Sequence, residues 1–326
     1  MIRSAWPWLR VVIGVAILAA LAWRLGTGAF LTGLRAITGP AALAAFGIGV
    51  LTTVCCALRW CVVARRLGLR LPFWTAVTDY YRAMFLNVVL PMGVLGDVQR
   101  AVRHGHDSGD VGRGVRAVVL ERTAGQIVLL AGVVLLAQSA ALHVVTRTPG
   151  IGILLGGLCL LVVAAIITVR WGSRTARWRR ALATTLADIR SGLLSRDTWP
   201  AVVGLSVIVL AGHFALFLVA ARTAGVTAPV SQLVAPVALT LLASGLPINV
   251  GGWGPRESAS ALSFGAVGLG ATQGLTVAVV YGVLTFVTTL PGAVVLLSRT
   301  VDRSAGGEVE FEQHVVAECE PAGRGA

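Results

Sequence analysis

Lysine is absent from this chain, and all 27 of its basic residues are arginine. With abundant Ala, Gly and Val, that absence points to the coding bias of a high-GC bacterial genome rather than to function. Charge of any kind is scarce, at 13% of residues against 56% hydrophobic, and the mean hydropathy is +0.83. Those values exclude an ordinary soluble domain. The five cysteines, Cys55, Cys56, Cys61, Cys159 and Cys319, contain no CxxC pair. Four of them lie in apolar runs, so neither a disulfide framework nor a zinc site is indicated. GxSxG, P-loop, HExxH and Asp-rich metal motifs are also missing, so no enzymatic activity, cofactor or metal is expected. The period-two alternation of membrane barrel strands is lacking as well.

What is present is a series of apolar runs near or above bilayer-spanning length, which defines an all-α polytopic membrane protein. Spans are expected at about 11–25, 41–63, 115–138, 151–169, 200–221 and 273–297. Two further apolar regions, 73–112 and 230–268, are broken. The first carries Asp79, Arg82, Asp97, Arg100 and Arg103 around Pro91 and Gly93. The second carries Pro247, Asn249, Gly251, Gly252, Arg256 and Glu257. Backbone that cannot stay helical inside apolar sequence reads as a re-entrant helical hairpin. The expected layout is six spanning helices plus two hairpins.

The net charge of +13 could suggest nucleic acid, but the arginines sit in short clusters between the apolar runs. There they set orientation and meet anionic headgroups, and no nucleic-acid partner is expected. With the N-terminus inside and both broken regions as hairpins, inside segments hold 19 arginines. Outside loops hold four, Arg24, Arg35, Arg147 and Arg222. That asymmetry puts both termini in the cytoplasm and the protein in the cell membrane. Residues 1–298 then form one membrane domain. Residues 299–326, rich in glutamate, read as a disordered acidic tail. The segment from Arg170 to Trp199 is the most basic and reads as an amphipathic surface helix.

Two parts of the chain repeat by spacing. Ala64-Arg65-x-x-Gly68-x-x-x-Pro72 matches Ala221-Arg222-x-x-Gly225-x-x-x-Pro229. Pro91-x4-Gly96-x3-Arg100 matches Pro247-x4-Gly252-x3-Arg256. The halves run over about 41–138 and 200–297, and the topology orients them oppositely. Inverted-topology repeats with discontinuous helices are a transporter arrangement.

A membrane-embedded charge costs on the order of 3 kcal/mol on insertion scales, so each has a partner or a task. Arg100 and Arg256, with Asp97 and Glu257 beside them, are the candidate headgroup-binding residues. Asn249, Gly251 and Gly252 accompany them at the second break. Pro91, Gly96, Glu121, Arg122 and Pro247 are supporting residues. For Arg256 two readings stand: a bidentate clamp on a phosphate, or a counter-ion to Glu257 that pins the fold. Glu121-Arg122 reads either as part of the site or as an interfacial pair near a helix end. Asp79 and Arg82, three apart, are expected to pair with each other, and His213 to bond a neighbouring helix.

Leu58-Arg59-Trp60, Asn87-x3-Pro91-x4-Gly96-Asp97-x2-Arg100, Glu121-Arg122 and Leu246-Pro247-x3-Gly251-Gly252-x-Gly254-x2-Glu257 carry a resemblance. Over about residues 10–298 the chain resembles the lysylphosphatidylglycerol synthetase-type transmembrane family, also described as flippase-like membrane proteins. The resemblance implies translocation of a lipid, an anionic phospholipid or a polyprenyl-phosphate-linked lipid, between leaflets. Fused members carry an aminoacyl-transfer domain that this sequence does not contain. The alternative expectation is a non-transporting scaffold or regulator of a cell-envelope enzyme, acting through the basic 170–199 segment.

Overall fold

The computed structural model describes residues 31–32, 35–90, 93–136, 195–245 and 254–318. Among these residues the secondary structure is helical. The first four helices are α1 (Gly39–Arg66), α2 (Phe73–Val89), α3 (Leu95–Asp107) and α4 (Val111–Leu136). The second four are α5 (Trp199–Thr223), α6 (Val230–Ser244), α7 (Pro255–Ala266) and α8 (Ala271–Glu318). Four of the eight, α1, α4, α5 and α8 as far as Ser298, are long and apolar enough to cross a membrane. They fall where the second, third, fifth and sixth spans are expected. The first and fourth expected spans lie outside the described residues, as does the basic segment up to residue 194. So do Pro91, Pro247, Asn249, Gly251 and Gly252. α8 continues to Glu318 through the acidic stretch for which the sequence predicts disorder. No proline interrupts that stretch before Pro321.

The two broken regions each become a pair of short helices. α6, the longer helix of its pair, has 15 residues, about 22 Å at 1.5 Å per residue. That is short of a hydrocarbon core of about 30 Å. α2 ends at Leu90, whose extended φ of −88° and ψ of 146° suit the residue before a proline. α7 begins after Gly254 at φ +112°, backbone that favours glycine. Pro255 follows at the first helical position, where its missing N–H costs nothing.

The eight helices form two similar sets of four. α1 and α5 end in the same turn: Gly68 (φ +76°) and Gly225 (φ +81°) reverse the chain. Leu69 and Val226 then donate back to Ala64 and Ala221, each at 2.9 Å. Pro72 and Pro229 cap the next helix in both sets. The turn recurs after α3 at Gly109 and after α7 at Gly268. Each set has its own apolar core. One gathers Trp60, Tyr80, Ala101 and Leu120; the other gathers Phe217, Leu233, Phe264 and Tyr281.

The sets meet through α1 and α5. Arg66 near the end of α1 reaches Asp197 before α5, Arg59 reaches Ser206, and Thr52 lies against Gly212. Rising numbers in one helix meet falling numbers in the other, so α1 and α5 are antiparallel. A side chain at 212 would collide with Thr52, which is why the crossing needs glycine there. The remaining contacts exchange reciprocally: α8 packs on α1 and α2, and α4 packs on α5 and α6.

Candidate functional site: a buried arginine network on a central cavity

Glu121 lies in the middle of α4 and is completely buried. A lone carboxylate there would be costly, and the structure surrounds it with donors. Arg59 of α1 donates to its Oε1 through Nε at 3.1 Å and Nη2 at 2.5 Å. Arg100 of α3 donates through Nη2 to Oε2 at 2.8 Å. The Tyr80 hydroxyl of α2 approaches Oε1 at 3.4 Å. One carboxylate therefore ties together all four helices of the first set.

The network continues outward. Arg100 Nε donates to Asp97 Oδ1 at 2.9 Å. Asp97, in the first turn of α3 where the helix end favours an anion, also accepts from Arg122 at 2.8 Å. Asn87 holds the other side, donating to Asp97 at 3.0 Å and accepting from the Gly96 N–H at 2.8 Å. Gly96 has no room for a Cβ, which would strike the Ala83 carbonyl. The Arg100 guanidinium is stacked 4.3 Å from the Tyr80 ring centre and 4.7 Å from that of Trp60, a cation–π arrangement. Arg59 Nη1 reaches out of this set to Ser206 Oγ of α5 at 2.8 Å.

Beside the network lies a cavity of about 330 Å³ bounded by both sets of helices. Arg59 and Arg122 line it from one side and Arg256 from the other, with Tyr80, Tyr281, Gln126 and His213 between them. Glu121, Asp97 and Glu257 do not line it. Arg256 donates to Glu257 Oε1 through Nε at 2.8 Å and Nη2 at 2.5 Å. The second oxygen of Glu257 accepts the Gly254 N–H at 2.6 Å, closing the start of α7. Arg256 thus has the counter-ion that one sequence reading gave it, and it also lines the cavity.

The expected site residues that the structure describes gather in one place. Arg256, Arg122 and the Asp97–Arg100–Glu121 chain come together around one cavity. Arg100 itself is not on the wall; it is 2% exposed and locked behind it. Nor does it correspond to Arg256. Leu95 and Pro255 both begin their helices, which makes Arg100 the sixth residue of α3 and Arg256 the second of α7. The offset that aligns the two arginines is 156, whereas the Gly109 and Gly268 turns stand 159 apart. The second spacing match is therefore out of structural register by about one helical turn. Pro91, Pro247, Asn249, Gly251 and Gly252 remain outside the described residues.

Other expected residues make the following contacts. Glu121 and Arg122 do not pair with each other: the fully buried Glu121 takes Arg59 and Arg100, while the more exposed Arg122 takes Asp97. Asp79 accepts from Arg103 Nη1 at 3.0 Å. His213 lines the cavity, and its Nδ1 lies 2.8 Å from Val209 O within α5. Arg59, Tyr80, Ser206 and Gln126 belong to the site without having been assigned to it from sequence. For Arg59 the available signal was an arginine inside an otherwise apolar run.

Apolar spanning helices, paired short helices and a cation-lined central cavity define a multi-pass α-helical membrane protein. The chain belongs to the family described as the lysylphosphatidylglycerol synthase TM region, whose model matches residues 8–292. No curated protein matches it.

Proposed function

We propose that this protein is a lipid translocator. It binds the anionic headgroup of a phospholipid or polyprenyl-phosphate-linked lipid in the central cavity while the acyl chains stay in the bilayer. The observation that carries this reading is the wall itself: three guanidiniums and, among the described residues, no carboxylate. Guanidiniums match phosphate oxygens in geometry as well as charge.

The inverted repeat belongs to the same proposal. Two antiparallel helices that occupy equivalent places in their sets, with reciprocal contacts on either side, are related by a two-fold axis across them. If those helices span the bilayer, the axis lies in the membrane plane, and the sets have opposite orientations. The short pairs α2–α3 and α6–α7 then enter and leave from opposite faces as re-entrant hairpins. They meet at the cavity near mid-membrane. Both termini are placed in the cytoplasm and the protein in the cell membrane, in keeping with its arginine distribution.

Proteoliposomes carrying a fluorescent anionic lipid test the proposal by following its exchange between leaflets. Wild-type protein should accelerate exchange, and Arg122→Ala combined with Arg256→Ala should return it toward the protein-free rate. Wild type indistinguishable from empty liposomes across several anionic lipids would count against translocation.

A further inference from the structure

The cavity has a sign and also a charge number. Among the described residues, each acid beside it is already partnered: Glu121 by Arg59 and Arg100, and Asp97 by Arg100, Arg122 and Asn87. Glu257 is partnered by Arg256 and the Gly254 N–H. Residues 246–253, between α6 and α7, contain no acidic residue. The two described tyrosine rings on the wall already have guanidiniums over them. Tyr80 has Arg100 at 4.3 Å and Arg122 at 5.7 Å from its ring centre, and Tyr281 has Arg256 at 5.6 Å. Among the described residues, an ammonium group entering this space would meet guanidiniums on the wall and no carboxylate.

Within the connected groups, Arg59, Arg100, Arg122 and Arg256 stand against Glu121, Asp97 and Glu257, which leaves one positive charge. A monoanion cancels it. A dianion overshoots it, and a zwitterion brings an ammonium with no partner. Gln126, His213 and Ser244 on the same wall supply donors and acceptors suited to hydroxyl groups. Resting on the lipid-handling reading above, we infer that the cavity selects a monoanionic phosphodiester with a polyol headgroup. It rejects headgroups that carry an amine, aminoacylated lipids included.

Competition against a fluorescent phosphatidylglycerol, with the full chain in phosphatidylcholine nanodiscs, tests this selectivity. Unlabelled phosphatidylglycerol should displace the probe. Phosphatidylethanolamine, lysylphosphatidylglycerol and the phosphomonoester phosphatidate should each be at least about tenfold weaker, the scale of one unpaired charge. Equal competition by any of those three overturns the inference while leaving lipid handling intact. Displacement by no lipid at all overturns both. Glycerophosphoglycerol, the same headgroup without acyl chains, separates a lipid site from a site for a soluble phosphodiester. If it competes as well as the lipid, the headgroup chemistry stands and the lipid reading falls. Gln126→Glu adds a carboxylate to the wall and should shift preference by about tenfold toward phosphatidylethanolamine. An unshifted preference overturns the charge-balance argument.

Discussion

Arg59 of α1 and Glu121 of α4 are joined twice, with Nε and Nη2 both donating to Oε1, although the two side chains are 62 residues apart in sequence. Both lie in helices apolar enough to cross a membrane. The pair is the inner end of a chain of alternating charge that runs through Arg100 and Asp97 to Arg122.

Glu121→Gln keeps the shape of that junction and removes its charge. Arg59 and Arg100 would then share an uncharged acceptor, and breaking a buried ion pair this way costs about 3–5 kcal/mol. A clear drop in Tm of the detergent-purified protein is expected. An unchanged Tm would show that Glu121 is not the hub described.

Arg122→Ala should behave oppositely. Its side chain is 43% exposed, against 1% for Arg100, and Asp97 keeps Arg100 and Asn87 when it is removed. The stability loss should be no more than ~1 kcal/mol, with lipid exchange falling at least about tenfold. Thermal unfolding and exchange measured on one preparation separate the two effects.

Gly96→Ala tests packing rather than charge. The added methyl meets the Ala83 carbonyl, and overpacking of this kind costs about 1–3 kcal/mol. Lower Tm with retained helical circular dichroism is the expected result. Full stability would mean that α2 and α3 are farther apart than described.

Asp197→Asn is the control. Asp197 pairs with Arg66 at 3.5 Å, but their side chains are 80% and 41% exposed. Such a pair contributes about 0–1 kcal/mol, so Tm should barely move. Ser206→Ala, which removes the acceptor of Arg59 Nη1 between the two helical sets, should cost about 1 kcal/mol or more.

The long elements were legible because their signals are local. Apolar runs gave α1, α4, α5 and α8, and proline with glycine gave the breaks. Gly68 and Gly225 were legible as matched positions in a spacing repeat, and the structure gives the reason: both turns have a positive φ, which calls for glycine. The register of the second match was not, because residue spacing carries no mark of where a helix starts. Arg256 follows Pro255 directly, while Arg100 stands five residues after Leu95. Glu121 and Arg122 looked like a pair because they are neighbours in sequence. Successive side chains on a helix point about 100° apart, so one turns to the network and the other to the cavity. Arg59 could not be assigned a role from sequence, since its partner comes from another helix.

The two sets of helices share their turns but not their electricity. In the first, Arg59, Asp97, Arg100, Glu121 and Arg122 form a continuous network; in the second, the ion pair among the described residues is Arg256–Glu257. About the two-fold axis proposed above, the described charges are therefore lopsided, and an anion in the cavity would be drawn off that axis toward α1 and α4. Turning the molecule over in a membrane would therefore not give an equivalent machine.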